Sequence, residues 1–217
     1  MIEIVLLFFI YSFLGWILEV MDIRVERGKW VNRGFLIGPI CPIYGVASIL
    51  IIILLKKYIN DPLALFVISS LICAFVEYIT SFLLEKIFKL RWWDYSDKKF
   101  NINGRICLGT VALFGMLCTL MMYYLNPFFC NLIESLPSLA TNVVAGILCL
   151  LLVIDILISF NVLFNLKKVT RNIRKDSTEE IKKAVKKLIE KNLSLHKRLV
   201  NAFPTIHKII ESKKKKS

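Results

Sequence analysis

The chain has 217 residues, 57% of them hydrophobic, with a mean hydropathy of +0.65 and a formal net charge of +13. So much apolar sequence leaves too few polar loops for a soluble domain, which excludes a secreted or cytosolic globular product. The positive charge would point to nucleic acid in a soluble protein, but here it follows hydrophobic stretches, where it favours the anionic face of a membrane by about 1 kcal/mol per nearby cation.

A bilayer core about 30 Å thick needs about 20 mainly apolar residues in a spanning helix. Five stretches meet that length, at 2–21, 35–55, 62–85, 104–125 and 138–166. The first has no basic leader, carries Glu3 and Glu19 and lacks a small-residue cleavage pattern, so it is expected to be a retained span rather than a signal peptide. The second starts in a polar station, WVNRGFLIGP (Trp30 to Pro39), and holds Gly38, Pro39 and Pro42. Proline removes a helical hydrogen bond and clashes with the preceding turn, so this start is expected to be kinked or broken, as a simple kink or as a re-entrant entry.

The third stretch carries Glu77, Tyr78, Ser81 and Glu85, and the eight residues between the two acids are close to two helical turns, which predicts one polar stripe. A second station follows, RWWDYSDKKFNINGRICLGT (Arg91 to Thr110). In both stations an asparagine lies six residues before a glycine, Asn32 with Gly38 and Asn103 with Gly109, and Arg-Gly or Gly-Arg follows the asparagine. The offset is 71 residues for both members, a parallel internal repeat. The fifth stretch contains Asp155.

Loop cations set the orientation. The segment 22–34 holds four Lys or Arg, 86–105 holds six and the tail from Lys167 holds seventeen, whereas the other side holds Lys56 and Lys57. This predicts a multi-pass protein of the bacterial inner or plasma membrane with its N-terminus outside and its C-terminus cytoplasmic. The expected fold class is all-α: a bundle of about five spans over 1–166, two pseudo-repeated hairpins plus one, and a basic helical tail over 167–217.

Acids inside a membrane need a proton, a partner or water, because an unpaired one costs about 2.5 to 3.5 kcal/mol on insertion scales. Glu19 and Arg33 are expected at the same end of adjacent helices, and Glu85 and Arg105 repeat the arrangement. The candidate substrate-binding residues are Glu19, Asn32, Arg33, Glu77, Tyr78, Arg91, Trp93, Asp94, Tyr95, Asn103 and Arg105. Two readings stand for this cluster: structural ion pairs that hold a small bundle together, or a polar cavity for a head group or ion. The aromatics Trp16, Trp30, Trp92, Trp93 and Tyr95 fit an interfacial belt or a binding surface equally well.

The six cysteines form no CxxC pair and no cluster with His196 or His207, so neither a zinc site nor a disulfide framework is indicated, and no metal or cofactor is implied. In the tail, Ser177 and Glu180 form a capping box, and Ile181, Val185, Leu188, Asn192, Leu195 and Leu199 recur at heptad spacing. That pattern fits a basic amphipathic helix on the membrane surface or a homo-oligomer formed through a coiled coil.

The runs GWILE, NRGFLIGPICPIYG, EYITSFLLE and RWWDYSDKKFNINGRICL, over about residues 8–125, resemble the bacterial family called putative ABC-transporter type IV, the CmpB-like permeases. The shorter WDYS-to-Gly segment resembles the eukaryotic transmembrane protein 229 family. The first resemblance implies a permease subunit. The chain has no GxxxxGK[ST] phosphate loop, so an ABC role requires a separate ATPase docking on cytoplasmic loops, for which 86–105 is the longest candidate. The function expected is a transporter-like subunit with a cytoplasm-facing polar cavity for a small or amphipathic solute, with membrane lipids as further partners. The alternative is an intramembrane enzyme or binding protein acting on lipid or a lipid-linked substrate, with Glu77 or Asp94 as acid or base and Arg105 holding an anionic group.

Overall fold

A computed structural model describes residues 1–28, 30, 32, 34, 36–88 and 91–173, with side chains for these except 26, 27, 163 and 165–173. Arg33, the heptad seam and the basic tail beyond 173 lie outside the described residues. Four helical runs are long and apolar enough to cross a membrane: Ile2–Val25, Pro62–Phe88, Leu108–Glu134 and Ser138–Val162.

Helix α1 (Ile2–Arg27) contains no proline and ends at Gly28, whose φ of 67° closes the helix while its N–H returns to the Arg24 carbonyl at 3.0 Å. The chain then turns back. Cys41 donates its N–H to the carbonyl of Ser12 at 2.9 Å, a contact fifteen residues, or about 22 Å of helix, behind the end of α1. The second apolar stretch therefore enters the bundle as non-helical chain over Leu36–Cys41, and only then forms α2 (Pro42–Leu55). Gly38, Pro39 and Pro42 are the reason: Pro42 is well placed at the first helical position but ends any helix approaching it from before. At 14 residues, α2 is about 21 Å long, two thirds of a bilayer core.

After a short 3₁₀ turn (Lys56–Tyr58), Asp61 caps α3 (Pro62–Phe88) by accepting the N–H of Ala64 at 3.0 Å. A small hairpin follows, β1 (Asn101–Ile102) against β2 (Ile106–Cys107), antiparallel with Ile102 facing Ile106. Its turn uses Asn103 and Gly104 at φ 53° and 65°, conformations that this residue pair tolerates. Helix α4 (Leu108–Leu120) passes through a π-helical turn (Met121–Leu125) into α5 (Asn126–Glu134). The widened turn comes just before Pro127, which has no N–H to give back and crowds the preceding carbonyls. The last helix is α6 (Ser138–Ile173).

The closest packing is α1 on α2 and α3 on α4, with α6 lying against both pairs. Leu7, Ile51, Leu55 and Leu65 are buried at the centre of the core. Ser69 and Ser70 of α3 meet Gly115 of α4, the small-residue contact that lets membrane helices approach closely. In α6 only 11% of the apolar window is buried, so it is peripheral. Its inner face carries Thr141, Ala145 and Ser159, and Leu150, Val153 and Leu157 stay exposed, as a lipid-facing surface requires.

Cys73 of α3 and Cys118 of α4 face each other with sulfurs 3.5 Å apart. Copper-phenanthroline oxidation of the full chain is expected to form one intramolecular disulfide between them, read by mass spectrometry of digested protein, with Cys73→Ala abolishing that linked peptide. Recovery of both thiols unlinked under conditions that oxidise an exposed control cysteine contradicts this α3–α4 register.

Candidate functional site

A partly open cavity of about 620 Å³ lies between α1, α2, α3, α4 and α6, within the range of sites that take small molecules. Its walls are mostly apolar, with Leu14 and Leu18 from α1, Val76 from α3, and Phe114, Leu117 and Met121 from α4 and the π turn. Polar groups enter it from Glu19, Tyr44, Glu77, Thr80, Trp93 and Tyr95. Gly34, Leu36 and Cys41 of the returning chain and Trp92 and Trp93 of the RWW segment also line it.

Glu19 accepts the Tyr44 hydroxyl at 2.8 Å. Gly15 makes this possible: a side chain there would collide with the Tyr44 ring, and the bare turn lets the ring lie against α1 so its hydroxyl reaches Glu19 one turn further on. Glu77 is only 6% exposed, and its Oε2 has no hydrogen-bond partner. Its carboxyl has the Tyr95 hydroxyl as a hydrogen-bond partner and Glu19 as a charged neighbour.

The stripe expected along α3 divides in two. Tyr78, Ser81, Phe82 and Glu85 turn toward Arg105, whereas Cys73, Val76, Glu77, Thr80 and Leu84 turn into the cavity. One residue is 100° of helix, so Glu77 and Tyr78 leave in different directions, and eight residues carry the chain 80° past the starting face. Arg105 pairs with Glu85 at 2.8 Å and lies over the rings of Tyr78 and Phe82, 5.7 and 5.5 Å from their centres. Arg91 joins the same carboxylate at 3.0 Å, and its other nitrogen is 3.5 Å from Asp94. Asn103 donates to Tyr78 at 2.9 Å.

The RWWDYS run is thus a folded cap. Trp92 packs on Phe88, the Trp93 indole donates to the Arg105 carbonyl at 2.8 Å, Asp94 accepts from Ser96, and the Tyr95 N–H pairs with Gly104 at 2.8 Å. Of the sequence candidates, Glu19, Glu77, Trp93 and Tyr95 line the cavity. Tyr78, Arg91, Asp94, Asn103 and Arg105 form the neighbouring cluster around Glu85. Asn32 braces its own loop, accepting from Gly34 at 2.9 Å and donating to Ile37 at 3.1 Å.

The two stations match in sequence but differ in hydrogen bonding. At the second, Asn101 rather than Asn103 accepts the glycine N–H, from Gly104 at 3.0 Å. Gly109 has open space where a side chain would stand, while a Cβ on Gly38 would lie 2.8 Å from Asp155. Sequence reasoning left the Asp155 partner unassigned. Its carboxylate accepts the N–H groups of Ile37 at 2.9 Å and Gly38 at 2.7 Å, and the Ser159 hydroxyl at 3.0 Å. Tyr44, the partner of Glu19, was also missed; its place beside the prolines in PICPIYG is the one signal that the sequence offered.

The four long apolar helices define a helical membrane protein. The chain belongs to the family described as putative ABC-transporter type IV, whose model matches residues 6–160. No curated protein and no solved structure matches it.

Proposed function

We propose that the chain is a permease-type membrane subunit that holds a small amphipathic solute in the cavity between α1, α2, α3, α4 and α6. The observation that carries this is the cavity itself, apolar along most of its length and polar at the end formed by Glu19, Glu77, Tyr44 and Tyr95. The half-length α2 supports it, because a broken helix whose N-terminus opens inside a bundle is a recurring way to build a solute site within a membrane. The cation-rich segments orient the capped end toward the cytoplasm in this reading, with the N-terminus outside. The family name supports a separate ATPase, and the segment 86–105, with Lys98 and Lys99 exposed, is the proposed dock.

Native mass spectrometry of the chain released from its membranes tests the reading. The wild type is expected to carry an amphipathic adduct that Thr80→Trp, which fills the cavity from α3, no longer retains. Equal adducts on both proteins, or none on either, count against a solute site here.

A further inference from the structure

We infer that the cavity selects a cationic amphiphile, a molecule with an N–H-bearing ammonium group on an apolar body. This deepens the solute-site reading above and rests on it.

Among the described residues the charge at the polar end is one-sided. Glu77 and Glu19 both face the cavity, and no Lys, Arg or His is among its described lining residues. Two cations of the adjoining cluster are committed elsewhere, since Arg91 and Arg105 turn to Glu85 on the neighbouring face of α3. Each acid has one tyrosine hydroxyl as a partner, Tyr44 on Glu19 and Tyr95 on Glu77, but the Oε2 of Glu77 has none of its own although the residue is only 6% exposed. A buried carboxyl oxygen without a donor is among the most strongly disfavoured arrangements in a protein interior, and more so inside a membrane. An occupant that places an ammonium N–H against Oε2 gives that oxygen its donor and sets a positive charge beside both carboxyl groups. An anionic head would meet two carboxyl groups and no compensating cation from the described lining, and a neutral head would bring neither carboxyl a counter-charge.

The remaining walls suit the same molecule. The rings of Tyr44, Trp93 and Tyr95 line the same cavity as the acids, and aromatic faces attract cations. Beyond them the cavity is aliphatic through Leu14, Leu18, Leu117 and Met121, which accepts an alkyl or ring body without polar groups.

The test uses the full chain in nanodiscs of zwitterionic lipid, with tryptophan fluorescence as the readout because Trp92 and Trp93 line the cavity and empty nanodiscs as the blank. Three probes of equal chain length are titrated: octylammonium, octanol and octanoate. Octylammonium is expected to give a saturable change at concentrations where the other two give none. Glu77→Gln is expected to weaken it by about tenfold or more, the loss implied by removing a hydrogen bond to a charged group. Glu77→Asp is expected to keep part of the response. The wild-type comparison among probes stands even if the glutamine variant does not fold, and Glu19→Gln, which keeps an acceptor for Tyr44, provides a second charge removal.

Octanol saturating as tightly as octylammonium, or an unchanged response in folded Glu77→Gln, overturns the charge assignment and leaves the solute-site reading in place. No saturable change with any probe, together with equal native adducts on wild type and Thr80→Trp, overturns both.

Discussion

Asp155→Ala is expected to lower the thermal unfolding midpoint of the detergent-solubilised chain more than any other single change at the acids discussed here. The carboxylate of Asp155 takes two backbone N–H groups of the chain ahead of α2, at 2.9 and 2.7 Å, and a hydroxyl from its own helix. Hydrogen bonds to a charged group contribute about 1.5 to 3 kcal/mol each, and the alanine variant also leaves two donors unmet, so a loss of about 3 to 5 kcal/mol follows. Asp155→Asn keeps one acceptor oxygen and is expected to lose about half as much. Gly38→Ala tests the same contact from the other side, because its new methyl would stand 2.8 Å from the Asp155 oxygen. It destabilises the wild type, but in the Asp155→Ala background the collision is gone and the two changes are expected to be less than additive. Midpoints that add fully, or an Asp155→Ala protein as stable as wild type by circular dichroism, show that α6 does not hold the loop in this way.

Four spans were legible from the length of their apolar runs alone, because a membrane helix must satisfy its backbone internally and advertises itself by unbroken hydrophobicity. The stretch 35–55 passes the same count yet yields only 14 residues of α2. Hydropathy registers composition, whereas Gly38, Pro39 and Pro42 decide how much of that composition is helical. The pairing of Glu85 with Arg105 followed from their places at the same end of adjacent helices. The separation of Glu77 from Tyr78 and Glu85 was legible in principle, since it is a matter of 100° per residue, but the proximity of the polar letters in sequence obscured it.

Other parts of the site left no local trace. The partner of Asp155 is backbone, 117 and 118 residues away, and backbone donors have no letter in a sequence. Cys73 and Cys118 meet because Ser69, Ser70 and Gly115 let α3 and α4 close up, a fact of packing rather than of spacing. The matched stations show the converse case. Their letters repeat at a fixed offset, but Gly38 is packed against a carboxylate and Gly109 against nothing, so equal sequence serves unequal local structure.

Arg105→Ala is the second substitution with a large expected effect, and its consequence is local before it is global. The Arg105 side chain is 11% exposed, pairs with Glu85 at 2.8 Å, reaches Ser81 at 3.3 Å and covers the rings of Tyr78 and Phe82. Truncating one partner of a buried ion pair typically costs about 3 to 5 kcal/mol because the other charge is stranded. Here Glu85 is 32% exposed and keeps Arg91 at 3.0 Å, so the expected loss falls below that range, at about 2 to 3 kcal/mol. Arg105→Lys keeps the charge but not the flat group that bonds Glu85 while lying over two rings, and is expected to recover less than half. The β1–β2 hairpin and the RWWDYS cap are the elements this side chain ties to α3. Trypsin cleavage after the exposed Lys98 and Lys99 is therefore expected to quicken in Arg105→Ala, with a weaker effect for Arg91→Ala, whose contacts are more solvated. Cleavage at the wild-type rate in a folded Arg105→Ala protein shows that the cap is held by its apolar contacts, Trp92 on Phe88 foremost, and that the guanidinium is dispensable to it.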